Sequence, residues 1–243
     1  HLEVIKNSFL PAYRHLIDGL SGLKGRGINE GGLCGFRDGR QYYEYLLRSG
    51  PGLSYNIEEL KAALSDRMQK DLETISSLSK KADPDLSFRL TDPPAILADL
   101  QAQMSGDFPA LSEASKKYEL RYVPAQLEST LSPAFYLTAP LDDPTRNVIY
   151  INNGSTDAKD ELYPTLAHEG FPGHLYQTVY SSLVCDTQTL PIRKLFSYGG
   201  YVEGWAYYTE RISYEYAAQV LAEAEGSLGS SYPAALLCTL LAQ

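Results

Sequence analysis

Apolar residues recur at helical spacing from the first turn of the chain. Over residues 2–23, Val4, Ile5, Phe9, Leu10, Tyr13, Leu16, Ile17 and Leu20 fall on one stripe, which predicts an amphipathic helix facing a core. His15 lies within this helix and reads as a surface or core histidine rather than a ligand. Residues 25–39 include Gly31-Gly32 and Gly35 and read as a loop. They lack the G-x-G-x-x-G register between strand and helix that a phosphate cradle requires. Residues 40–48 predict a second helix, closed by Ser49-Gly50-Pro51-Gly52, and Ser54 or Asn56 can cap a third that runs to Leu78. Asp83-Pro84 and Asp92-Pro93-Pro94 are breaks, and residues 94–104 read as a further helix.

Past Lys117 the period changes. Residues 118–124, 134–139 and 147–152 have strand character, bounded by turn residues at Asp142-Asp143-Pro144 and Asn153-Gly154. They predict a small antiparallel sheet. Residues 157–161 then lead into a helix whose Leu162, Leu166, Leu175 and Val179 would fix it in the core. A polar connection is expected at 185–191, a helix dense in aromatics over 193–216, a loop at 227–233 and a short apolar helix at 234–243. The expected fold is mainly α (α+β): a helical scaffold over 1–117, and a sheet with chemistry-bearing helices over 118–243, in one continuous domain.

At 243 residues and 44% hydrophobic content the chain can bury a real core. A net charge of -9 and a pI near 5.0 argue against nucleic acid or an anionic membrane as partner, since both need a cationic face. Cys34, Cys185 and Cys238 are odd in number and widely spaced, so they form neither a disulfide framework nor a C-x-x-C metal site. No apolar stretch reaches the ~20 residues that a membrane-spanning helix needs. The first residue is His1, so an upstream segment is expected to be missing, and with it any secretory signal.

The chemistry concentrates between Thr165 and Gln177. Two of the four histidines, His168 and His174, fall here, with Glu169 beside the first. Neutral imidazoles are good zinc ligands, and an adjacent Glu can take a proton from activated water, as in H-E-x-x-H. Here the histidines are six apart rather than four, which in an ideal helix would turn them roughly 120° away from each other. Pro172 cannot donate a backbone hydrogen bond and crowds the preceding turn, so the helix is expected to widen or kink between Gly170 and Gly173. Glu203 and Glu210, seven apart on one later helix face, are both candidates for a third ligand; two His and one Glu form the hydrolytic set, which leaves one position open.

The string His168-Glu169-Gly170-Phe171-Pro172-Gly173-His174, then Gln177, and later Glu203-Gly204-Trp205-Ala206, resembles the signature of the bacterial family called domain of unknown function 885. A weaker likeness runs through Tyr122-Val123-Pro124 and Pro133-Ala134-Phe135-Tyr136. That family resembles helical zincin (gluzincin) metallopeptidases of the angiotensin-converting-enzyme and thimet-oligopeptidase kind. The resemblance implies Zn2+ held by His168, His174 and Glu203, with Glu169 as general base; Glu210 then reads as a residue that orients a histidine. Gln177 reads either as a support for the ligands or as an exposed helix residue. An edge strand beside the metal would pair with the backbone of a peptide substrate, and residues 148–152 are the candidate. The resemblance further implies a longer chain, of which this would be a C-terminally incomplete part, and weakly an exported or cell-envelope location. The rival functions are a non-catalytic peptide- or protein-binding helical domain and a zinc amidohydrolase acting on a non-peptide amide.

Overall fold

The computed structural model describes residues 1–80, 90–140, 143, 145–155, 162–185 and 198–225. The chain divides into two compact units, His1–Ser49 and Gly50–Gln243. Among the described residues it is mainly helical, with one three-stranded mixed sheet.

The first unit is helical. Helix α1 (Leu2–Val4) runs through one π-helical turn (Ile5–Phe9) into α2 (Leu10–Leu23). The Gly-rich loop follows, organised by Asn29, whose side chain donates to Gly32 O and accepts from Gly31 N. Helix α3 spans Gly39–Ser49. The stripe expected to face a core does not: no residue from Leu2 to Leu23 is buried, and Leu16 and Leu20 are 56% and 59% exposed. A helical period reports that a face wants a cover; it does not supply one.

In the second unit, α4 (Ile57–Leu78) starts on a reciprocal capping box. Asn56 Oδ1 accepts from Glu59 N, and the Glu59 carboxylate accepts from Asn56 N, each at 2.9 Å. Arg67–Asp71 and Asp66–Lys70 pairs line its surface. Helix α5 (Pro93–Gln103) is capped by Asp92, carries Pro at its first turn, and buries Ile96, Leu97 and Leu100. Strands β1 (Glu119–Tyr122), β2 (Ala134–Leu137) and β3 (Val148–Ile151) are followed by α6 (Leu162–Glu169), α7 (His174–Cys185) and α8 (Gly199–Glu225). Ile149 and Ile151 of β3, the α5 residues, Leu166 of α6, and Phe171, Leu175 and Tyr176 form the centre of the core. Helix α5, within the expected scaffold region 1–117, thus shares one core with the sheet and the histidine helices.

Two expectations about the sheet change. The order is β1-β3-β2, with β2 antiparallel to β3 but β1 parallel to it, so the sheet is mixed rather than antiparallel. Alternating side chains specify a face, not a strand direction, and the long connection from β1 to β3 permits the parallel pairing. Residues 148–152 are also not an edge: β3 is the middle strand, and both its sides are taken.

Several expected features lie wholly or partly outside the described residues. These are the breaks at 83–84 and 142–144, the lead-in at 157–161, the connection after Cys185, the start of the following helix at 193–197, and everything expected over 227–243, including Cys238. Cys34 is exposed and unpaired. Among the described residues no helix is long and apolar enough to cross a membrane.

Candidate metal centre

The expected kink is a complete break. Helix α6 ends at Glu169, four residues with a cis Phe171–Pro172 peptide follow, and α7 begins at His174. Gly173 lies against the carbonyls of Ala167 and His168, where any Cβ would collide with backbone. Gly170 closes α6 by donating to Leu166 O, and its own carbonyl accepts from Tyr176 N in α7. The break folds the second histidine back onto the first: the two rings lie 4.7 Å apart and nearly perpendicular, at 87°. Two short helices achieve what one continuous helix could not at this spacing.

Helix α8 is fastened across this turn by residues of its E-G-W-A segment. Trp205 Nε1 donates to Pro172 O at 2.8 Å, and the indole stacks on Tyr176 and meets the edge of Phe108. Ala206 and Thr209 are fully buried against α6, with Thr209 Oγ1 3.4 Å from Ala167 O. Gln177, far from exposed, is 6% accessible and donates to Tyr201 O at the start of α8. It ties α7 to α8.

Glu203 thereby comes to face both rings. Its Oε2 lies 3.8 Å from His168 Nε2 and 3.6 Å from His174 Nε2. The donor atoms of His168, His174 and Glu203 all fall within 4.8 Å of one another, the one such triad among the described residues. Glu210, two turns on, meets the opposite nitrogen: its Oε2 is 3.2 Å from His168 Nδ1. An ionised carboxylate can only accept, so in the neutral ring Nδ1 carries the proton and Nε2 keeps its lone pair, the tautomer a metal ligand needs. The structure thus separates the two glutamates that spacing alone left open.

The electrostatics follow from burial and neighbours. For His168 the largest influence is burial, which lowers its pKa, but the Glu210 hydrogen bond and the charges of Glu169, Glu210 and Glu203 outweigh it and raise the ring above its usual value. His174 is lowered by burial and by His168, against a weaker pull from Glu203, and so favours the neutral imidazole. Burial raises the pKa of Glu169, opposed by the Tyr136 backbone N–H and by His168. Tyr136 N donates to Glu169 Oε2 at 2.8 Å, which fixes that carboxylate oxygen. Two imidazoles whose Nε2 atoms face one accessible carboxylate form a donor set that could hold a borderline-soft cation such as zinc.

Sequence reasoning placed Tyr136 in a strand but gave it no part in the site. A backbone N–H has no residue-type signal. Trp205, quoted for its place in E-G-W-A, turns out to hold the break between α6 and α7 from across the core.

Among known protein families, the chain matches "Bacterial protein of unknown function (DUF885)" over residues 2–230, and it belongs to that family. No curated protein matches it. Among solved structures it is similar to the crystal structure of "the putative lipoprotein from Colwellia psychrerythraea", with 20% identity and a TM-score of 0.67 over 99% of this chain and 43% of that one. This chain therefore spans less than half the length of the structure it matches, and the likeness is one of fold.

Proposed function

We propose that this member of the DUF885 family is a zinc-dependent metallopeptidase of helical, zincin-like architecture that hydrolyses peptide bonds with Glu169 as general base. The observation that carries this reading is the convergence of His168, His174 and the Glu203 carboxylate within 4.8 Å, with the half-buried Glu169 next to the first ligand. These three residues would hold the ion, and Glu210 would keep His168 in the tautomer that binds it. A zinc ion bound there supplies Lewis acidity toward water and toward the scissile carbonyl.

The chain's own residues do the rest. The raised proton affinity of Glu169 fits a group that takes a proton from the attacking water near neutral pH and returns it to the leaving amine. Strand β2 takes the place first given to residues 148–152 as the partner of an extended peptide. Asn152 N donates to Pro133 O, so that pair is inward-bonded and, two residues at a time, so are Phe135 and Leu137. Ala134 and Tyr136 therefore turn their backbone groups outward, and the Tyr136 N–H already reaches the general base. The description of the similar structure as a lipoprotein supports a secreted or cell-envelope location for this chain as well.

The test joins metal content to turnover. Purified protein is expected to carry near-stoichiometric zinc by mass spectrometry, and His168→Ala and Glu203→Ala to lose it. Glu169→Gln is expected to keep zinc and lose about 10²–10⁴-fold in cleavage of a peptide library. Undiminished cleavage by Glu169→Gln would remove Glu169 from its role, and a protein that binds no zinc would remove the reading as a whole.

A further inference from the structure

A cavity of about 60 Å³ lies between the end of α5, the connection that follows it, and the break between α6 and α7. Met104, Leu111, Phe171 and Tyr176 line it and are buried, whereas Ser105, exposed, and Lys116, half-buried, stand at its rim. The side chains of the floor offer water no free donor: the one hydroxyl there, on Tyr176, already donates to Pro109 O at 2.7 Å. A water molecule takes up ~30 Å³ in the liquid, so there is room for one compact apolar group, which such a floor prefers to water. Lys116 is the one cation among the described residues of the lining. Its ammonium meets Glu113 at 2.8 Å, but Glu113 is 89% exposed, and a surface pair of this kind is worth little and exchanges readily.

The cavity is separate from the triad but shares its supports. His174 and Tyr176 stand two residues apart in the first turn of α7, roughly 200° round the helix, so Tyr176 points away from the side on which His174 meets Glu203. Yet Tyr176 N donates to Gly170 O across the break, its ring stacks on Trp205, and Trp205 Nε1 holds Pro172 O. Phe171, the other inner wall, is part of the break itself. We propose that this cavity binds a short branched-chain carboxylate, its apolar end on the floor and its head on Lys116, and that occupancy is coupled to the triad through Phe171 and Tyr176. An apolar group seated there leans on the segment that folds His174 back onto His168. The binding site stands independently of the metallopeptidase reading; the coupling adds a means of regulation to it.

Trp205 is the only tryptophan in the chain, and its stacking on Tyr176 makes its fluorescence a reporter of the cavity. Isovalerate is titrated into metal-free protein, beside isovaleramide, which lacks the charge, and acetate, which lacks the branched chain. A saturable change is expected with isovalerate, at half-saturation at least about tenfold below that of either control. Lys116→Gln is expected to erase the preference for acid over amide, and Leu111→Phe, which fills the floor, to abolish binding of both. Should Leu111→Phe fail to fold, the two control ligands carry the test in the parent. Isovalerate at saturation is then expected to change zinc affinity by at least about fivefold in competition with a chelator, with acetate at the same concentration leaving it unchanged. An unsaturable response, or equal half-saturation for all three ligands, overturns the site. Saturable binding with unaltered zinc affinity overturns the coupling. A protein that binds isovalerate but no zinc overturns the metallopeptidase reading and leaves the cavity site standing.

Discussion

Along α2, Leu16, Ile17 and Leu20 repeat at helical spacing and each keeps more than half of its surface in water. Along α6, Leu162 and Leu166 repeat at the same interval and both are buried, Leu166 completely. What separates the helices is their surroundings. Helix α6 sits in the core with α5 and β3, and its last turn is held by hydrogen bonds from Thr209 on α8 and Tyr136 on β2. Helix α2 presents ten large apolar side chains with its flanking turns, from Leu2 to Leu23, and buries none of them. A contiguous apolar face of this kind marks a surface built for contact. The candidate triad is positioned by helices that are themselves packed in the core, even though Glu203 is exposed, and a ligand set on a face such as that of α2 would have nothing to hold it.

The largest effect expected from this contrast is on stability. Leu166→Ala is expected to cost about 2–5 kcal/mol in urea denaturation, because a fully enclosed side chain leaves a cavity that the packed helices cannot close. Leu16→Ala is expected to stay within about 0.5 kcal/mol, as exposed positions do. Equal losses from the two substitutions would break the contrast, by showing that α2 is covered in solution.

A smaller effect sharpens the same contrast at a polar contact. Glu210 stands outside the candidate triad, yet its carboxylate meets His168 Nδ1 at 3.2 Å. Glu210→Gln is expected to weaken zinc binding by about 10–100-fold in competition with a chelator, while the fold holds. Unchanged affinity would reduce Glu210 to an ordinary surface carboxylate that happens to meet a histidine.

Local signals carried well from sequence to structure. Ser54 and Asn56 were both legible as starts of α4, and Asn56 is the one that caps it; the break at Asp92-Pro93-Pro94 marked the start of α5 to within a residue. The three strands were legible from their aromatic and β-branched content, but their partners were not, because parallel and antiparallel pairings share a period of two. At the site, residue types pointed to His168, Glu169 and His174, but six-residue spacing forbids a shared face on any single helix. Only the break at Gly170–Gly173, fastened by Trp205 from elsewhere in the chain, brings the rings together. The choice between Glu203 and Glu210 was equally out of reach of spacing, since both stand on one face and differ only in which nitrogen of His168 they meet.

The smallest expected effect concerns what the site costs the fold that holds it. Burial raises Glu169 above the ordinary glutamate range of about 4.3, so the folded state resists its ionisation more than the unfolded chain does. The sign follows. Below the unfolded pKa both states hold the proton and the penalty is absent; as pH rises through the higher, folded pKa the penalty grows to its full size. Glutamine cannot ionise, and its amide oxygen can still accept the Tyr136 N–H. Metal-free Glu169→Gln is therefore expected to exceed the metal-free parent by about 0.5–1 kcal/mol at pH 7 in urea denaturation, with the gain shrinking to nothing near pH 4. A gain that stayed constant with pH would have to come from packing rather than charge. A loss at pH 7 would mean that the carboxylate, held by Tyr136 and His168, stabilises α6 instead of burdening it.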